Sequence, residues 1–173
     1  TFKRLVDRLG FGKVIWRFDP MILTDTIGIE ELLDKAHNIG EQLKGYTEKM
    51  VFSYADIRTY RKVQSNLEKN GIKYREFEAE DMLAIAKGLS ELNNSWGYTL
   101  ATCGEKVDLE SYGVVHNKCV DDDLMIKYFS DDVKLMEFLG IEIVKGDLFN
   151  PESTIIKRKN NKDKGQREFC GCI

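Results

Sequence analysis

The sequence predicts an α/β fold in which parallel strands alternate with helices. Three short apolar runs near residues 13–18, 49–54 and 98–103 are separated by longer stretches with helical periodicity. These runs are too continuous for a sheet with one face in water, which favours parallel strands covered by helices. A complete barrel of eight strands needs roughly 250 residues, so we expect a partial TIM-barrel-like arrangement.

The first predicted strand already carries polar residues. Residues 13–19, KVIWRFD, form an apolar run with β-branched and aromatic residues, and the run is bounded by Pro20. Because side chains alternate along a strand, Arg17 and Asp19 share one face and Trp16 lies on the other. The end of this strand therefore presents a cation and an anion on the same side.

The next elements repeat the alternation of strand and helix. Asp25 or Thr26 can cap a helix that ends at Gly45, and a second strand covers residues 50–54. Asp56 then leads into another helix. The apolar stripe that we expect to face inward on this helix consists of Ile57, Tyr60, Val63 and Leu67.

The second half of the chain adds a long helix, a third strand and a polar arm. Residues 78–94 form the clearest helical pattern, with acidic residues at the start, where the helix dipole favours them. A strand over residues 98–103 and two short helices follow. Residues 146–165 show no periodicity. We therefore expect a partial βα barrel domain over residues 1–145 and a basic arm over residues 146–173, which ends in the motif CGC.

Composition limits the partners and the compartment. The chain of 173 residues is 42% hydrophobic, enough for one core, and its net charge is −3. This charge argues against a protein that binds nucleic acid through its overall field. No apolar run approaches the roughly 18 residues of a membrane-spanning helix, so we expect a cytoplasmic protein with no membrane partner. Both ends look cut, and we expect a piece of a longer protein.

Four charged residues at or just after strand ends are the candidate ligand-binding residues: Arg17, Asp19, Asp56 and Glu105. In barrels and open parallel sheets, ligands bind at the carboxyl ends of the strands. An arginine there can clamp a carboxylate or phosphate, and the acids can bind an amine or hydroxyl groups. The alternative is an internal ion pair of Arg17 with Asp19 or Glu105. Two polar residues at one end of one strand favour the binding site, and we expect Glu105 to be partly buried in a shared cavity.

Four cysteines are the candidate metal ligands: Cys103, Cys119, Cys170 and Cys172. In a reducing compartment such a set is more readily a group of metal or redox ligands than two disulfides. Four thiolates can close an iron–sulfur or a zinc site, although Cys-x-Cys is a weaker signal than Cys-x-x-Cys. The alternative is that Cys103 is a buried apolar residue and that the other thiols are incidental. His116 could replace a thiol as ligand or simply be exposed.

A basic run between residues 157 and 167 is the candidate nucleic-acid contact. It holds six Lys or Arg residues against one Asp. Such a run can contact phosphates, but it is usually a solvated loop, and no aromatic residue is interleaved to stack on bases. A small molecule is therefore the preferred partner, and nucleic acid is the lesser alternative.

Several longer motifs resemble one known family. The strings VIWRFDPMILT, FSYADIRTYRK, TLATCGEKVDLESYGVVHNKCVDDDL and KDKGQREFCGCI follow one another over nearly the whole chain. They resemble the bacterial family called domain of unknown function 1848. Full-length members of that family are similar to radical S-adenosylmethionine (SAM) proteins. They have a Cys-x-x-x-Cys-x-x-Cys motif for a [4Fe-4S] cluster just beyond the region that matches this C-terminus.

The resemblance implies a TIM-barrel-like radical SAM fold, with a [4Fe-4S] cluster and SAM as cofactors of the parent protein and a fragment that is inactive by itself. It favours a shared metal or auxiliary cluster, because all four cysteines fall inside the matching motifs. The strand-end charges would then hold the amino-acid and ribose parts of the cofactor. A different class of function remains as the alternative: a non-catalytic module whose thiols bind zinc and whose basic arm contacts a partner, including nucleic acid.

Overall fold

The computed structural model of the chain describes two compact units, residues 1–117 and 118–173. The residues described within them are 1–103, 107–118, 121–144 and 154–157. Along the first unit the elements are α1 (Phe2–Leu9), β1 (Trp16–Met21), β2 (Leu23–Thr24), α2 (Ile29–Leu43), β3 (Lys49–Tyr54), α3 (Arg61–Lys69), β4 (Tyr74–Arg75), α4 (Ala79–Trp96), β5 (Thr99–Thr102), a 3-10 turn (Glu110–Tyr112) and β6 (Val114–His116). Along the second they are α5 (Asp122–Phe129), α6 (Val133–Leu139), β7 (Ile141–Val144) and β8 (Thr154–Lys157).

The first unit is built on a parallel sheet with strand order β1–β3–β5–β6. Phe18 lies beside Phe52, and Phe52 lies beside Thr102. The predicted α/β fold with parallel neighbouring strands is therefore confirmed. Within the described residues the sheet is open and does not close into a barrel. Strand β6 was not predicted, because three residues give too short a run for a recognisable alternation.

Strand β1 extends past its expected end. The sequence places the boundary at Pro20, but β1 continues to Met21, and the Asp19–Pro20 peptide bond is cis. Among the described strands β1 pairs with β3 alone, so it is an edge strand, where a proline interrupts no second ladder. The register shifts between Phe18 and Met21, and Met21 comes to lie beside Tyr54.

Alternation along the strands gives the sheet one face that is packed under α2 and α4 and a second face that carries both apolar and charged residues. The packed face holds Trp16, Met50, Phe52 and Leu100, which are all buried in one cluster with residues of α2 and α4. This packing explains the helical stripes, because each helix needs one apolar face to cover the sheet. The opposite face carries Arg17 on β1, as the alternation predicts, and beside it the buried residues Val51 and Ala101.

Helices α2 and α4 approach each other closely because two positions lack a side chain. A Cβ atom at Gly40 would lie 2.5 Å from ring atoms of Trp96, and one at Gly88 would lie 2.5 Å from Cδ1 of Leu33. Neither distance is compatible with a methyl group unless the packing shifts. The space is filled by the Trp96 ring, which also packs edge-on against Trp16 with 6.0 Å between ring centroids.

Tyr98, the residue just before β5, forms a hydrogen bond with the backbone of α2. Its hydroxyl group donates a hydrogen bond of 2.8 Å to the carbonyl oxygen of Gly40, and its side chain is 5% exposed. Burial raises the pKa of Tyr98 to about 12, and the charge of Glu41 adds to this shift. The neutral phenol is therefore the form that the folded chain favours.

The chain between β3 and α4, residues 55–78, leaves the sheet and returns; we call it the β3–α4 excursion. Its strand β4 pairs antiparallel with β2, so it is joined to the loop that follows β1. Arg75 binds the carboxylate of Asp81 at the start of α4, with an Nη2–Oδ1 distance of 2.9 Å. This hydrogen bonding is the main reason that the pKa of Asp81 lies below its usual value.

The predicted inward-facing stripe on α3 is wrong for two of its members. Ile57 is buried, but it precedes the helix, and no residue of α3 is buried. Tyr60 is 54% exposed and Val63 is 37% exposed. The reason is topological, because α4 rather than α3 supplies the crossover that covers the sheet between β3 and β5.

The second unit is small. Asp121 and Asp132 cap α5 and α6, and each side chain accepts a hydrogen bond of 3.0 Å from a backbone N–H. Strand β7 pairs antiparallel with β8, which lies in the region where the sequence shows no periodicity. The predicted domain boundary after residue 145 stays a prediction. Where burial is described in this unit, the buried apolar residues are Ile126, Met136 and Ile141. Within the described part of both units, no helix has the length and apolar character that crossing a membrane requires.

Replacing Gly40 with Ala tests the close contact of α2 and α4. Alanine normally stabilises a helix relative to glycine by about 1 kcal/mol. Here we expect the opposite sign, a loss of about 1–3 kcal/mol in the free energy of unfolding, because the methyl group would overlap Trp96. Urea denaturation measures the difference. Asn38→Ala, at an exposed position of the same helix, is the matched control and should not destabilise the protein.

Tyr98→Phe tests the buried phenol. Near pH 8 the variant should lose about 1 kcal/mol of stability with the hydrogen bond to Gly40. Because the folded-state pKa is raised, the stabilisation by the neutral phenol is complete below the unfolded pKa of about 10 and is lost as pH rises toward 12. The difference between wild type and variant should therefore shrink between pH 8 and pH 11 in urea titrations. A constant difference would contradict this assignment, and Tyr60→Phe, at an exposed tyrosine, is the control.

Candidate functional site

The face of the sheet that carries Arg17 has a hydrogen-bonded polar cluster where β1 and β3 end. Arg17 and Asp19 lie two residues apart on β1, and Nε of Arg17 donates to Oδ2 of Asp19 over 2.8 Å. The hydroxyl group of Ser53, on the neighbouring strand β3, donates to the other oxygen, Oδ1, over 2.5 Å. The Asp19 carboxylate therefore joins the ends of two parallel strands.

The two charges of this cluster differ in their access to solvent. The side chain of Arg17 is 47% exposed, whereas that of Asp19 is 17% exposed. The carboxylate is thus the inner member of the ion pair, and the guanidinium group is the outer one. An arginine whose Nε edge is held by a carboxylate keeps a defined orientation, which is the condition for planar recognition of a second anion.

The ion pair that the sequence left as an alternative is therefore present. It joins Arg17 to Asp19, and the partial exposure of the guanidinium group means that pairing does not remove it from the surface. An ion pair of this kind adds little stability, since solvent screens the exposed partner. The arrangement is compatible with a binding role and is not evidence against one.

Cys103 follows β5 on the same face of the sheet. Phe52 lies beside Thr102 in the register, so the next residues, Ser53 and Cys103, are neighbours across the two strands. The backbone N–H of Cys103 donates to the carbonyl oxygen of Phe52 over 3.4 Å, which extends the pairing by one step. The thiol of Cys103 is partly exposed. The structure thus brings Asp19, Ser53 and Cys103 to consecutive strand ends.

Asp56 has a different local use. Its carboxylate accepts hydrogen bonds from the backbone N–H and the hydroxyl group of Thr59, at 3.3 Å and 2.6 Å, and it lies on the surface. It therefore stabilises the turn that follows β3. Its predicted role in ligand binding stays a prediction.

Glu76 is a residue that the sequence did not single out. Its carboxylate accepts hydrogen bonds from the backbone N–H groups of Ile57 and Arg58, at 3.3 Å and 3.0 Å. It thereby fixes the chain that leaves the carboxyl end of β3. Nothing in the local pattern predicts this, because the partners are 18 and 19 residues apart.

Of the five remaining candidate residues, the structure describes one. Glu105, Cys119, Cys170 and Cys172 lie outside the residues that the structure describes, so the proposed cavity with Glu105 and the shared four-thiol centre stay predictions. His116 ends β6 beside Thr102 and is exposed, and its role as a metal ligand stays a prediction.

Three consecutive acidic residues lie close together at the start of the second unit. Carboxylate oxygens of Asp121, Asp122 and Asp123 can all lie within 4.8 Å of one another. The ammonium group of Lys118 is bound to Asp122 and Asp123, at 2.5 Å and 2.7 Å. Burial would lower the pKa of Lys118, but these hydrogen bonds outweigh it and raise the pKa above its usual value. The group is thus already paired with a cation, and Asp121 serves as the cap of α5.

Comparisons with known proteins place the chain in a family without assigning an activity. Curated proteins and solved structures yielded no match. The family described as "Domain of unknown function (DUF1848)" matches residues 1–173, the full length of the sequence. The strand-end cluster and Cys103 lie within this match. The chain therefore belongs to the DUF1848 family.

Proposed function

We propose that the chain belongs to a radical SAM-like iron–sulfur protein and that the carboxyl edge of its parallel sheet binds a small molecule with a carboxylate group, the cofactor or the substrate. The observation that supports this proposal is the cluster of Arg17, Asp19 and Ser53. Its guanidinium group is oriented by a carboxylate and is 47% exposed at the end of the sheet where parallel folds bind ligands.

The chemistry of the donor set fits SAM. This molecule carries a carboxylate, an ammonium group and ribose hydroxyl groups. A guanidinium group complements the carboxylate, while Asp19 and Ser53 offer oxygens to an ammonium or hydroxyl group. Bound with a [4Fe-4S] cluster, SAM supplies radical chemistry. The residues of this chain would bind and orient the ligand.

Cys103 is the described residue that would connect the polar cluster to a metal centre. Its thiol follows β5 next to Ser53 in the register, and a thiolate is a ligand for iron–sulfur clusters and zinc. Cys119, Cys170 and Cys172 are proposed as its partners because they fall inside the motifs that resemble the family. The parent protein would be an enzyme, and its substrate is not specified by these residues.

Arg17→Gln tests the ligand site. We expect the dissociation constant for SAM to rise about tenfold or more, because a charge-assisted hydrogen bond is worth about 1.5–3 kcal/mol. Isothermal titration calorimetry with the anaerobically reconstituted protein measures it. Arg75→Gln is the matched control, since Arg75 is 53% exposed and is also paired with an aspartate. Unchanged SAM binding by Arg17→Gln, or an equal loss in Arg75→Gln, would contradict the proposal.

Cys103→Ala tests the metal centre. After anaerobic reconstitution with iron and sulfide, an iron–sulfur cluster gives a brown protein with visible absorbance, whereas zinc is colourless. We expect the wild type to absorb and Cys103→Ala to lose metal, measured as iron and zinc per chain. A colourless protein with bound zinc would favour the zinc-stabilised module instead. Metal content that does not change in Cys103→Ala would exclude this residue from the centre.

A further inference from the structure

The β3–α4 excursion carries a basic surface that the proposed small-molecule site does not use. Residues 57–73 contain five Lys or Arg residues and one Glu. The excursion as a whole contains six Lys or Arg residues and four Asp or Glu residues, a net charge of +2, whereas the whole chain has a net charge of −3. Positive charge is therefore concentrated on one segment of an acidic protein, and a local field of this kind attracts anions. The five residues are all exposed, and they are Arg58, Arg61, Lys62, Lys69 and Lys73.

These cations are available to an outside partner. Nε of Arg58 lies 3.9 Å from the carboxylate of Glu76, at the limit of an ion pair, and the Arg58 side chain is 83% exposed. Within the described part of the chain, the ion pairs of Arg and Lys involve neither Arg61 nor Lys62. Their charge is not neutralised by a neighbouring carboxylate, so it remains available to a bound anion.

An exposed aromatic ring lies among these charges. Tyr60 is 54% exposed and stands directly before Arg61, where α3 begins. A tyrosine ring can stack on a nucleobase, and such stacking is worth about 1–3 kcal/mol per base. The basic run at residues 157–167 has no such interleaved aromatic residue. The segment from Arg58 to Lys62 combines both elements of single-strand recognition: cations for phosphates and a ring for a base.

We propose that the β3–α4 excursion binds single-stranded nucleic acid, with Arg58, Arg61 and Lys62 on phosphates and Tyr60 stacked on a base. The excursion leaves the carboxyl end of β3, directly after Ser53 and Tyr54, so this surface begins at the end of the sheet that carries the polar cluster. The inference goes beyond the proposed function and does not depend on it, because it requires neither a metal nor SAM.

An anionic membrane is the competing partner for a basic helix with exposed apolar residues. Helices that lie on membranes have a continuous apolar face. Helix α3 has nine residues, and Val63, at 37% exposed, is its one large apolar side chain that counts as exposed. Tyr60 precedes the helix, and Ile72 follows it. The apolar residues therefore do not form the face that a membrane would need, which favours nucleic acid.

The test uses the 173-residue chain and fluorescein-labelled oligouridine and oligodeoxythymidine of about 16 nucleotides, the upper end of typical site sizes. Fluorescence anisotropy gives the dissociation constants. We expect Arg61→Glu/Lys62→Glu to raise them about tenfold or more and to flatten their dependence on salt. The matched control is Lys35→Glu/Lys87→Glu, with exposed lysines on α2 and α4, and it should stay within about twofold of the wild type by the general field alone.

A second pair of variants separates stacking from charge. Tyr60→Ala should raise the dissociation constants about fivefold or more, and Tyr60→Phe should restore them, because the ring and not the hydroxyl group stacks. Circular dichroism melting curves confirm that each variant is folded. The proposal is overturned if the wild type binds neither oligonucleotide, or if Arg61→Glu/Lys62→Glu binds like the wild type. It is also overturned if Tyr60→Ala has no effect, or if phosphatidylserine vesicles bind the chain and the oligonucleotides do not.

Discussion

The closure of one face of the parallel sheet by α2 and α4 is the constraint on which the rest of the first unit depends. Gly40 and Gly88 allow the two helices to approach, and the Trp96 ring fills the space against Gly40 and reaches Trp16 on β1. Once this face is apolar and covered, charged side chains can be accommodated only on the other face or at the strand ends. The position of Arg17 follows from the packing on the opposite side of its strand.

The parallel sheet could be predicted because its strands lie in short apolar runs that alternate with stretches of helical periodicity, a pattern that can be recognised without knowing which strands are neighbours. The end of β1 could not, since a proline ends a central strand but not an edge strand, and edge position is a property of the whole sheet. The same dependence on the whole fold explains why the prediction for α3 was wrong. Its helical stripe was visible in the sequence, but the sequence does not say whether the stripe faces a core, and Tyr60 and Val63 remain exposed.

The candidate site also has a part that the sequence could predict and a part that only the fold shows. Alternation was enough to place Arg17 and Asp19 together, because it acts within one strand. The bond from Ser53 to Asp19 depends on which strand is the neighbour and on its register, so it could be read only from the fold. Glu76 is beyond any local pattern, since its partners belong to another loop.

The centre of the first unit and its β3–α4 excursion are stabilised by different forces. Its centre rests on buried apolar surface, but the β3–α4 excursion is held largely by polar contacts: Glu76 to the backbone of Ile57 and Arg58, Arg75 to Asp81, and the two-residue pairing of β2 with β4. Apart from Ile57 and Phe77, which are buried, it contributes little to the core. Segments with few buried apolar contacts open at a lower free energy than the core that carries them. The carboxyl end of the sheet therefore joins a base that is packed by α2 and α4 to an excursion that we expect to open at a lower free energy than the strands below it.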